Sequence, residues 1–300
     1  MPLIRKLEAY MLVGLDHAII GLRDLASADA LGSALGIAVS PGGVHPGWGT
    51  RNAIARFGLD YFELLAISDS REAAANPRGR AFLDWLRGGD GWLGYALASD
   101  DVEADSAAIR ARGLDVEHPQ RGARKRPDGT TMSWRTSRIA GSQWGSPLPF
   151  IIQHDCPPAE RRSWAPPGGH PLGVTRVAAL LVAGPSLDAL TADYRKLLGR
   201  EPDTVEDVSA LPARRAVYVV GGFRIELLEP AASNGGLAEF ARHSGPGVFL
   251  ASLVVPDVDR AVAVLRARGT AVGSPTARRR APLLDLRQTA GARFQLVEAP

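Results

Sequence analysis

Three side chains near the start of the sequence, His17, His45 and Glu63, have the chemistry to move protons or to bind a cation. An imidazole changes its protonation state near neutral pH, and a carboxylate can act as a general base. His17 and Glu63 lie in two segments, Leu15–Leu22 and Tyr61–Ile67, whose apolar composition predicts strands. Because strand side chains alternate between faces, each of the two points to one defined side of its strand.

The elements that carry these residues belong to an internal repeat. Three segments of equal length, Asp24–Gly36, Asp101–Gly113 and Asp257–Gly269, each begin with aspartate and end with glycine. An aspartate N-cap and a glycine past the last turn predict a short helix in each segment. A strand precedes each helix, at Leu15–Leu22, Leu93–Ser99 and Phe249–Val255. A looser fourth copy has a strand at Thr175–Val182 and a helix at about Leu187–Leu198.

Alternating segments punctuated by glycine and proline follow each helix, so each copy is predicted to be a β-α-β-β-β module. Proline and glycine concentrate between the second and third modules, where we place a linker at residues 157–171. The modules on either side pair into two domains, residues 12–156 and residues 172–299. The predicted fold class is therefore α+β.

The composition is that of an ordinary folded protein. Its 300 residues, at roughly 100–200 residues per domain, agree with two domains. The 35 basic and 32 acidic residues give a formal charge of +3, which offers no argument for binding nucleic acid. Cys156 is the single cysteine, which excludes an internal disulfide and a cysteine-based zinc cluster and fits a cytoplasmic location. No apolar run is long enough to span a membrane, and residues 1–13 do not predict a signal peptide.

Paired β-α-β-β-β modules, together with the strand sequences Leu15–Ile20 and Tyr61–Leu65, resemble the vicinal oxygen chelate superfamily. This superfamily includes glyoxalases, bleomycin-resistance proteins and extradiol dioxygenases. The segment Pro41–Asn52 resembles more narrowly the glyoxalase-like domain subgroup. The resemblance implies that each pair of modules forms an open, eight-stranded mixed barrel with its helices outside. It also implies a divalent metal, Fe, Mn, Ni, Zn or Mg, in the hollow of the barrel.

Carried onto this sequence, the resemblance places His17 at the ligand position of the first strand and Glu63 at the ligand position of the last strand. The alternative is a hydrogen-bonded pair that binds substrate or stabilises the barrel without a metal. The loop around His45 follows the second strand and can place His45, Trp48 and Asn52 at the mouth of the cup. His45 would then act as a general acid or base, and the alternative is an exposed turn.

The second module departs from the family pattern. Gly94 stands at the first-strand ligand position, and Ile151 stands at the last-strand position. Gln153 should share the face of Ile151 and could contact the substrate. His154 has the opposite parity, so it would turn inward as a third metal ligand only if the strand ends or bulges first.

Two aromatic residues of the second module, Tyr95 and Trp134, are candidates for lining an apolar pocket, although aromatic residues on strands also serve as core. No nucleotide cofactor is expected, because the G-x-G-x-x-G match at Gly89–Gly94 precedes a strand and opens no helix. In the second domain, Arg176 and Glu226 take the two ligand positions of the third module. An internal ion pair would then replace the metal there.

These residues and the resemblance favour a small-molecule enzyme, a lyase or isomerase, with His17, Glu63 and His45 as its catalytic residues. It would act through an enediolate of an oxygen-rich substrate, stabilised by a bound metal or by acid–base groups. One alternative is a metal-free protein that binds or sequesters a small molecule such as a drug. A second is an extradiol-type dioxygenase, which needs His154 as a ligand. We expect no nucleic-acid or membrane partner, and either a monomer or a homodimer.

Overall fold

The helices and strands of the computed structural model alternate in the repeating order that the sequence predicts, and the structure describes residues 12–126, 128–140, 142–209, 211–273 and 289–299. The first half contains β1 (Leu12–Leu22), α1 (Ser27–Leu35), β2 (Ser40–His45), β3 (Thr50–Arg56), β4 (Tyr61–Ile67), α2 (Ser70–Ala75), α3 (Pro77–Trp85), β5 (Gly91–Ser99), α4 (Val102–Ala111), β6 (Gln120–Lys125), β7 (Thr131–Ser137) and β8 (Phe150–His154). The second half contains α5 (Pro158–Arg162), β9 (Arg176–Ala183), α6 (Leu187–Leu198), β10 (Thr204–Val208), β11 (Ala213–Val220), β12 (Phe223–Pro230), α7 (Gly236–His243), β13 (Gly247–Val255), α8 (Val258–Ala267) and β14 (Phe294–Glu298).

The eight strands of the first half form a closed barrel in the order β1-β4-β3-β2-β6-β7-β8-β5. This arrangement, with helices outside, confirms the α+β class and the pairing of two modules. The expectation of an open barrel is corrected, because one ladder pair, Val44 with Lys125, joins β2 to β6. The seam between the modules is therefore closed at a single point.

The described strands of the second half form a six-stranded sheet in the order β10-β11-β12-β9-β13-β14. The rest of the predicted fourth module would occupy residues 274–288, which lie outside the described residues. The predicted domain limits at 12–156, 157–171 and 172–299 stay a prediction, although α5 lies within the predicted linker. None of the described helices is long and apolar enough to cross a membrane.

The capping residues that define the repeat act largely as predicted. The Asp101 and Asp257 side chains accept hydrogen bonds from the amides of Ala104 and Arg260 and so cap α4 and α8. Asp24 differs, because its carboxylate accepts from the amide of Ala26 in a turn and α1 begins only at Ser27. The first helix is therefore shorter at its start than the repeat implies.

A pair of β-bulges fixes how the first two modules correspond. Where β1 pairs with β5, two of the three register shifts leave one extra residue each, Asp16 in β1 and Leu93 in β5. These two bulges are counterparts in the repeat. Gly94, which follows Leu93, is therefore the counterpart of His17, as the sequence predicted.

The same correspondence corrects the predicted alignment of the last strands. Glu63 pairs with Ile19 across β4 and β1, and Phe150 pairs with Ala96 across β8 and β5. Because Ala96 is the counterpart of Ile19, Phe150 holds the position of Glu63, one residue before the predicted Ile151. A shift of one residue reverses which side chains of β8 point inward.

In the second half, the residue of β9 that corresponds to His17 differs from the predicted one. Its bulge in β9 is at Ala178, so Ala179 rather than Arg176 corresponds to His17. Glu226 pairs instead with Arg215 of the neighbouring strand β11 at 2.8 Å and with Arg224 of its own strand β12 at 3.1 Å. Arg176 instead donates to the carbonyl oxygen of Gly222.

The hydrophobic core runs continuously between the two halves. The Phe294 ring of β14 lies 5.6 Å from the Phe62 ring and 5.1 Å from the Trp92 ring of the barrel. Full burial of a side chain of this size stabilises the fold by about 1.5–3 kcal/mol. The second half therefore covers one outer face of the barrel, while the barrel interior stays available for a site.

Candidate active site

The barrel interior contains a cavity of about 330 Å³, whose wall includes His17, His45 and Glu63. A volume of this size lies within the range of roughly 300–1,000 Å³ that is usual for small-molecule sites. The aromatic part of the wall consists of Trp48, Tyr61, Phe82, Trp134, Trp144 and Phe150. The structure therefore brings the predicted catalytic residues together with two of the predicted substrate contacts, Trp48 and Trp134.

The Glu63 carboxylate lies between two imidazole rings. Its Oε2 is 3.6 Å from Nε2 of His17, and its Oε1 is 3.7 Å from Nε2 of His45. Asn52 donates its side-chain amide to Oε1 at 2.6 Å, which fixes the orientation of the carboxylate. Because Oε1 is occupied in this way, Oε2 is the oxygen that is free to take a proton.

His17 is oriented by Asp16, a residue that the sequence analysis did not select. The Asp16 Oδ1 lies 2.7 Å from Nδ1 of His17, and Oδ2 lies 2.6 Å from an Nη atom of Arg161 on α5. Burial would raise the pKa of Asp16, but the charge and hydrogen bond of His154, the hydrogen bond of His17 and the charge of Arg161 hold it well below its ordinary value. Asp16 is therefore a buried carboxylate that stays ionised.

His45, the last residue of β2, lines the same cavity. Its Nδ1 is 3.0 Å from the hydroxyl of Thr50, and its Nε2 is 3.4 Å from the side-chain nitrogen of Asn52. Burial is the largest influence and lowers the pKa of His45, with further lowering from Arg124 and His17 and an opposing effect of Glu63. At neutral pH the ring is uncharged, so it can accept one proton and donate another.

The positions of His154 and Gln153 are the reverse of those predicted. Phe150, Ile152 and His154 line the cavity, because β8 has the shifted register described above. His154 directs Nε2 to Asp16, at 3.0 Å from Oδ2. Gln153 faces outward and accepts from the amide of Val102 at the start of α4, so its role is structural.

Tyr95 is also corrected. It belongs to the outer core, and its hydroxyl pairs with that of Tyr194 on α6 rather than entering the cup. The alternation of β5 explains this position, since Gly94 and Ala96 take the inward face. Burial raises the pKa of the Tyr95 hydroxyl, which is therefore protonated at neutral pH.

Three arginines of the cavity wall, Arg78, Arg124 and Arg138, were not predicted as site residues. The Nε atom of each is buried and has no hydrogen-bond partner among the described residues. Arg124 donates to Asn52 at 3.1 Å, which links it to the Glu63 carboxylate. A sequence signal existed for Arg124, which belongs to a basic run in the segment Gln120–Lys125.

Comparison with protein families assigns the chain. The family model described as a glyoxalase-like domain matches residues 15–198, which is more than half of the sequence. The chain belongs to the glyoxalase-like domain family. The match extends past the barrel through β9 and α6, so it includes the start of the third module as well.

Two solved structures share the fold of this glyoxalase-like protein over 95% of its chain. A hypothetical protein from Staphylococcus aureus is 14% identical, with a TM-score of 0.65 over 95% of this chain and 99% of that chain. A triple variant of 4-hydroxymandelate synthase from Streptomyces coelicolor is 16% identical, with a TM-score of 0.64 over 95% of this chain and 92% of that chain. Methylmalonyl-CoA epimerase from Mycobacterium tuberculosis is 26% identical, with a TM-score of 0.38 over 43% of this chain and 91% of that chain. No curated protein sequence matches the chain.

The vicinal oxygen chelate fold implies a divalent metal, which requires donors from both modules. His17 and Glu63 face each other, and the bond from Nδ1 of His17 to Asp16 is the orientation that metal-binding histidines commonly have. The second module contributes Gly94 and Phe150 at the matching positions, and neither side chain has a donor atom. Across the described ranges, no group of three or more His, Cys, Asp or Glu could hold a metal ion. The donor set of this glyoxalase-like protein therefore does not fit a resident metal.

Proposed function

We propose that this glyoxalase-like protein is a lyase or isomerase that moves a proton next to a carbonyl group of a small, oxygen-rich substrate. The observation that carries the proposal is the placement of the Glu63 carboxylate between Nε2 of His17 and Nε2 of His45 on the wall of the cavity. Two groups that can each accept or donate a proton, on the same side of a bound substrate, are what such a reaction needs.

His17 is prepared to act as a base. Because Nδ1 holds its proton toward the ionised Asp16, Nε2 presents its lone pair to the cavity. Glu63 presents Oε2 at 3.6 Å from this nitrogen, so a proton that one of the two groups removes from the substrate can pass to the other and return to the neighbouring substrate atom. The net change is a proton moved between neighbouring atoms of the substrate.

The enediolate that forms after proton removal carries negative charge, which the site can stabilise. His45 is uncharged and can donate a hydrogen bond, and the buried guanidinium of Arg124 lies behind Asn52. Fixed donors in a cavity with little water stabilise developing charge more strongly than water does. Trp48 and Trp134 supply the apolar wall that limits the access of water.

The test is incorporation of deuterium from heavy water. A panel of small α-hydroxy and α-keto carbonyl compounds is incubated with the protein in heavy water, and loss of the proton signal beside the carbonyl is followed by NMR. Enzyme-dependent exchange, absent with Glu63→Gln, is the expected result. Exchange at the same rate in the wild type and in Glu63→Gln would overturn the proposal.

A second candidate is a metal-free protein that binds a small molecule without turnover. The aromatic wall of the cavity favours it, because offset rings bind planar compounds without chemistry. A ligand that raises the melting temperature in a saturable way, with no exchange of its protons, would support this candidate over the first. An extradiol-type dioxygenase is not proposed, because His154 bonds to Asp16 instead of joining His17 and Glu63.

A further inference from the structure

We propose that Arg78 and Arg138 bind the carboxylate of an organic acid whose apolar body lies on the aromatic wall of the barrel cavity. This inference names the substrate class of the proposed function and so rests on it. It depends on three independent features of the cavity: unpaired guanidinium groups, an excess of positive charge and adjacent aromatic rings.

The guanidinium groups have unused donors. Nε of Arg78 and Nε of Arg138 are buried without a hydrogen-bond partner among the described residues. Neither guanidinium lies within 4.0 Å of a carboxylate in the part of the chain that the structure describes. A buried guanidinium without a partner is costly, and a bidentate oxyanion matches its donor geometry.

The two groups also influence each other. Burial is the main cause that lowers the pKa of Arg138 to about 9, and the charge of Arg78 is the second. Two like charges held close together in a cavity destabilise each other until an anion lies between them. Arg138 has one modest neutral partner, the hydroxyl of Thr136, which accepts at 3.2 Å and leaves the charge unbalanced.

The charge count of the wall favours a monoanion. Three guanidinium groups, Arg78, Arg124 and Arg138, face two carboxylates, Glu63 and Glu117, when the histidines are counted as neutral. A fourth arginine of the wall is paired with an aspartate at the surface. The surplus of one positive charge matches a carboxylate, whereas a phosphate dianion would also be repelled by both glutamates.

The apolar body follows from the rings beside the two arginines. The Arg78 guanidinium lies 4.6 Å from the Trp144 ring, and that of Arg138 lies 4.9 Å from the Phe150 ring and 5.5 Å from the Trp48 ring. The Phe150 ring also lies 5.5 Å from the His17 ring, so a ligand anchored by its carboxylate here can extend along this ring toward His17. Its size is limited by the cavity volume of about 330 Å³.

The experiment measures binding, which does not depend on turnover. Phenylacetate, its neutral analogue phenylacetamide and phenyl phosphate are titrated calorimetrically into the wild type, Arg138→Gln, Arg78→Gln and Arg135→Gln. Arg135 is the matched control, because it lies on β7, which ends directly before Arg138, but faces outward to Gln153. Melting temperatures establish that each variant is folded, and binding of phenylacetamide shows that the aromatic wall is intact.

The wild type is expected to prefer phenylacetate over phenylacetamide by about tenfold or more, as charge-assisted hydrogen bonds predict. Arg138→Gln and Arg78→Gln should abolish this preference, and Arg135→Gln should keep it. Equal binding of phenylacetate and phenylacetamide, a preference that survives in both variants, or tighter binding of phenyl phosphate would each overturn the inference. Proton exchange confined to neutral substrates would overturn the inference while leaving the proposed function intact. Binding of the carboxylate without exchange of its protons would overturn the proposed function while leaving the inference intact.

Discussion

The Asp16 carboxylate lies 2.7 Å from Nδ1 of His17, its neighbour in the chain, although the two residues are adjacent on a strand. A regular strand would direct adjacent side chains to opposite faces. The bulge at Asp16 removes this alternation locally and lets one carboxylate contact His17, His154 and Arg161 together. The bulge is therefore what converts a strand residue into the orienting partner of His17.

We expect Asp16→Asn to lower the free energy of unfolding by about 3–5 kcal/mol at pH 7, because it leaves the buried Arg161 without its partner. The folded pKa of Asp16 is below its unfolded value, so its contribution is complete above about pH 4 and declines as pH falls toward the folded pKa. The difference between the wild type and the variant should therefore shrink in acid. Urea unfolding at pH 7, 5 and 3.5 measures it.

Asp155→Asn is the control for this prediction. The Asp155 carboxylate is at the surface, where it accepts from the hydroxyl of Ser133 at 2.6 Å and lies 4.0 Å from Arg121. Such exposed interactions contribute about 0–1 kcal/mol. If Asp16→Asn were no more harmful than Asp155→Asn, or if its effect did not change with pH, the Asp16 network would not be a stabilising one.

Glu63→Gln should slow proton exchange of a substrate by about 10²–10⁴-fold, the usual contribution of a general base. The amide keeps an oxygen that can accept from Asn52, so the melting temperature should change little. Glu117→Gln is the matched control, because Glu117 is another carboxylate of the cavity wall but is exposed and contacts neither histidine. Equal losses in the two variants would place the base elsewhere.

The donor set predicts that the purified protein, without an affinity tag, holds much less than one metal ion per chain after dialysis against Fe, Mn, Ni or Zn. The physical reason is that Gly94 and Phe150 provide no donor opposite His17 and Glu63. Elemental analysis of the wild type, His17→Ala and Glu63→Gln measures this. A near-stoichiometric metal that both variants lose would contradict the prediction and establish a metal site in the cup.

The buried imidazole of His45 makes stability depend on pH near neutrality. Its folded pKa is lower than its unfolded value of about 6.5, so the unfolded chain binds a proton first and stability is lost as pH falls below that value. His45→Asn should reduce this dependence by the share of His45, at most about 1.4 kcal/mol per pH unit, while His170, whose pKa burial also lowers, keeps its own share. Chemical unfolding at pH 7.5, 6.5 and 5.5 tests it, with the exposed His118→Asn as control. An unchanged slope in His45→Asn would contradict the prediction.

The sequence predicted the modular architecture and the inward placement of His17 and Glu63, because both depend on local patterns. Asp101 and Asp257 cap helices as their spacing indicated. The alternation of β1 and β4 placed His17 and Glu63 on inward faces of one barrel. Residue type and strand period were sufficient for these predictions, because both depend only on residues that are close together in the sequence.

The second-module residues were predicted poorly, because strand register depends on pairing between distant segments. A shift of one residue in β8 exchanged the faces of Gln153 and His154. The bulge at Asp16 has no local sequence signature, because it is a property of the pairing between β1 and β5. The inward position of Arg138 has none either, because an arginine usually faces solvent. Both became visible only once the ladder pairs and the cavity wall were known.

The correspondence between His17 and Gly94 has a stereochemical consequence. A cup built from two equivalent modules would offer a planar enediolate a reacting group on each of its faces. Here the counterparts of His17 and Glu63 are Gly94 and Phe150, so at these two pairs of positions only the first module carries acid–base groups. For the proposed reaction, protonation from the side of His17 and Glu63 would give one configuration at the new stereocentre, so we expect the loss of symmetry between the modules to make proton transfer enantioselective.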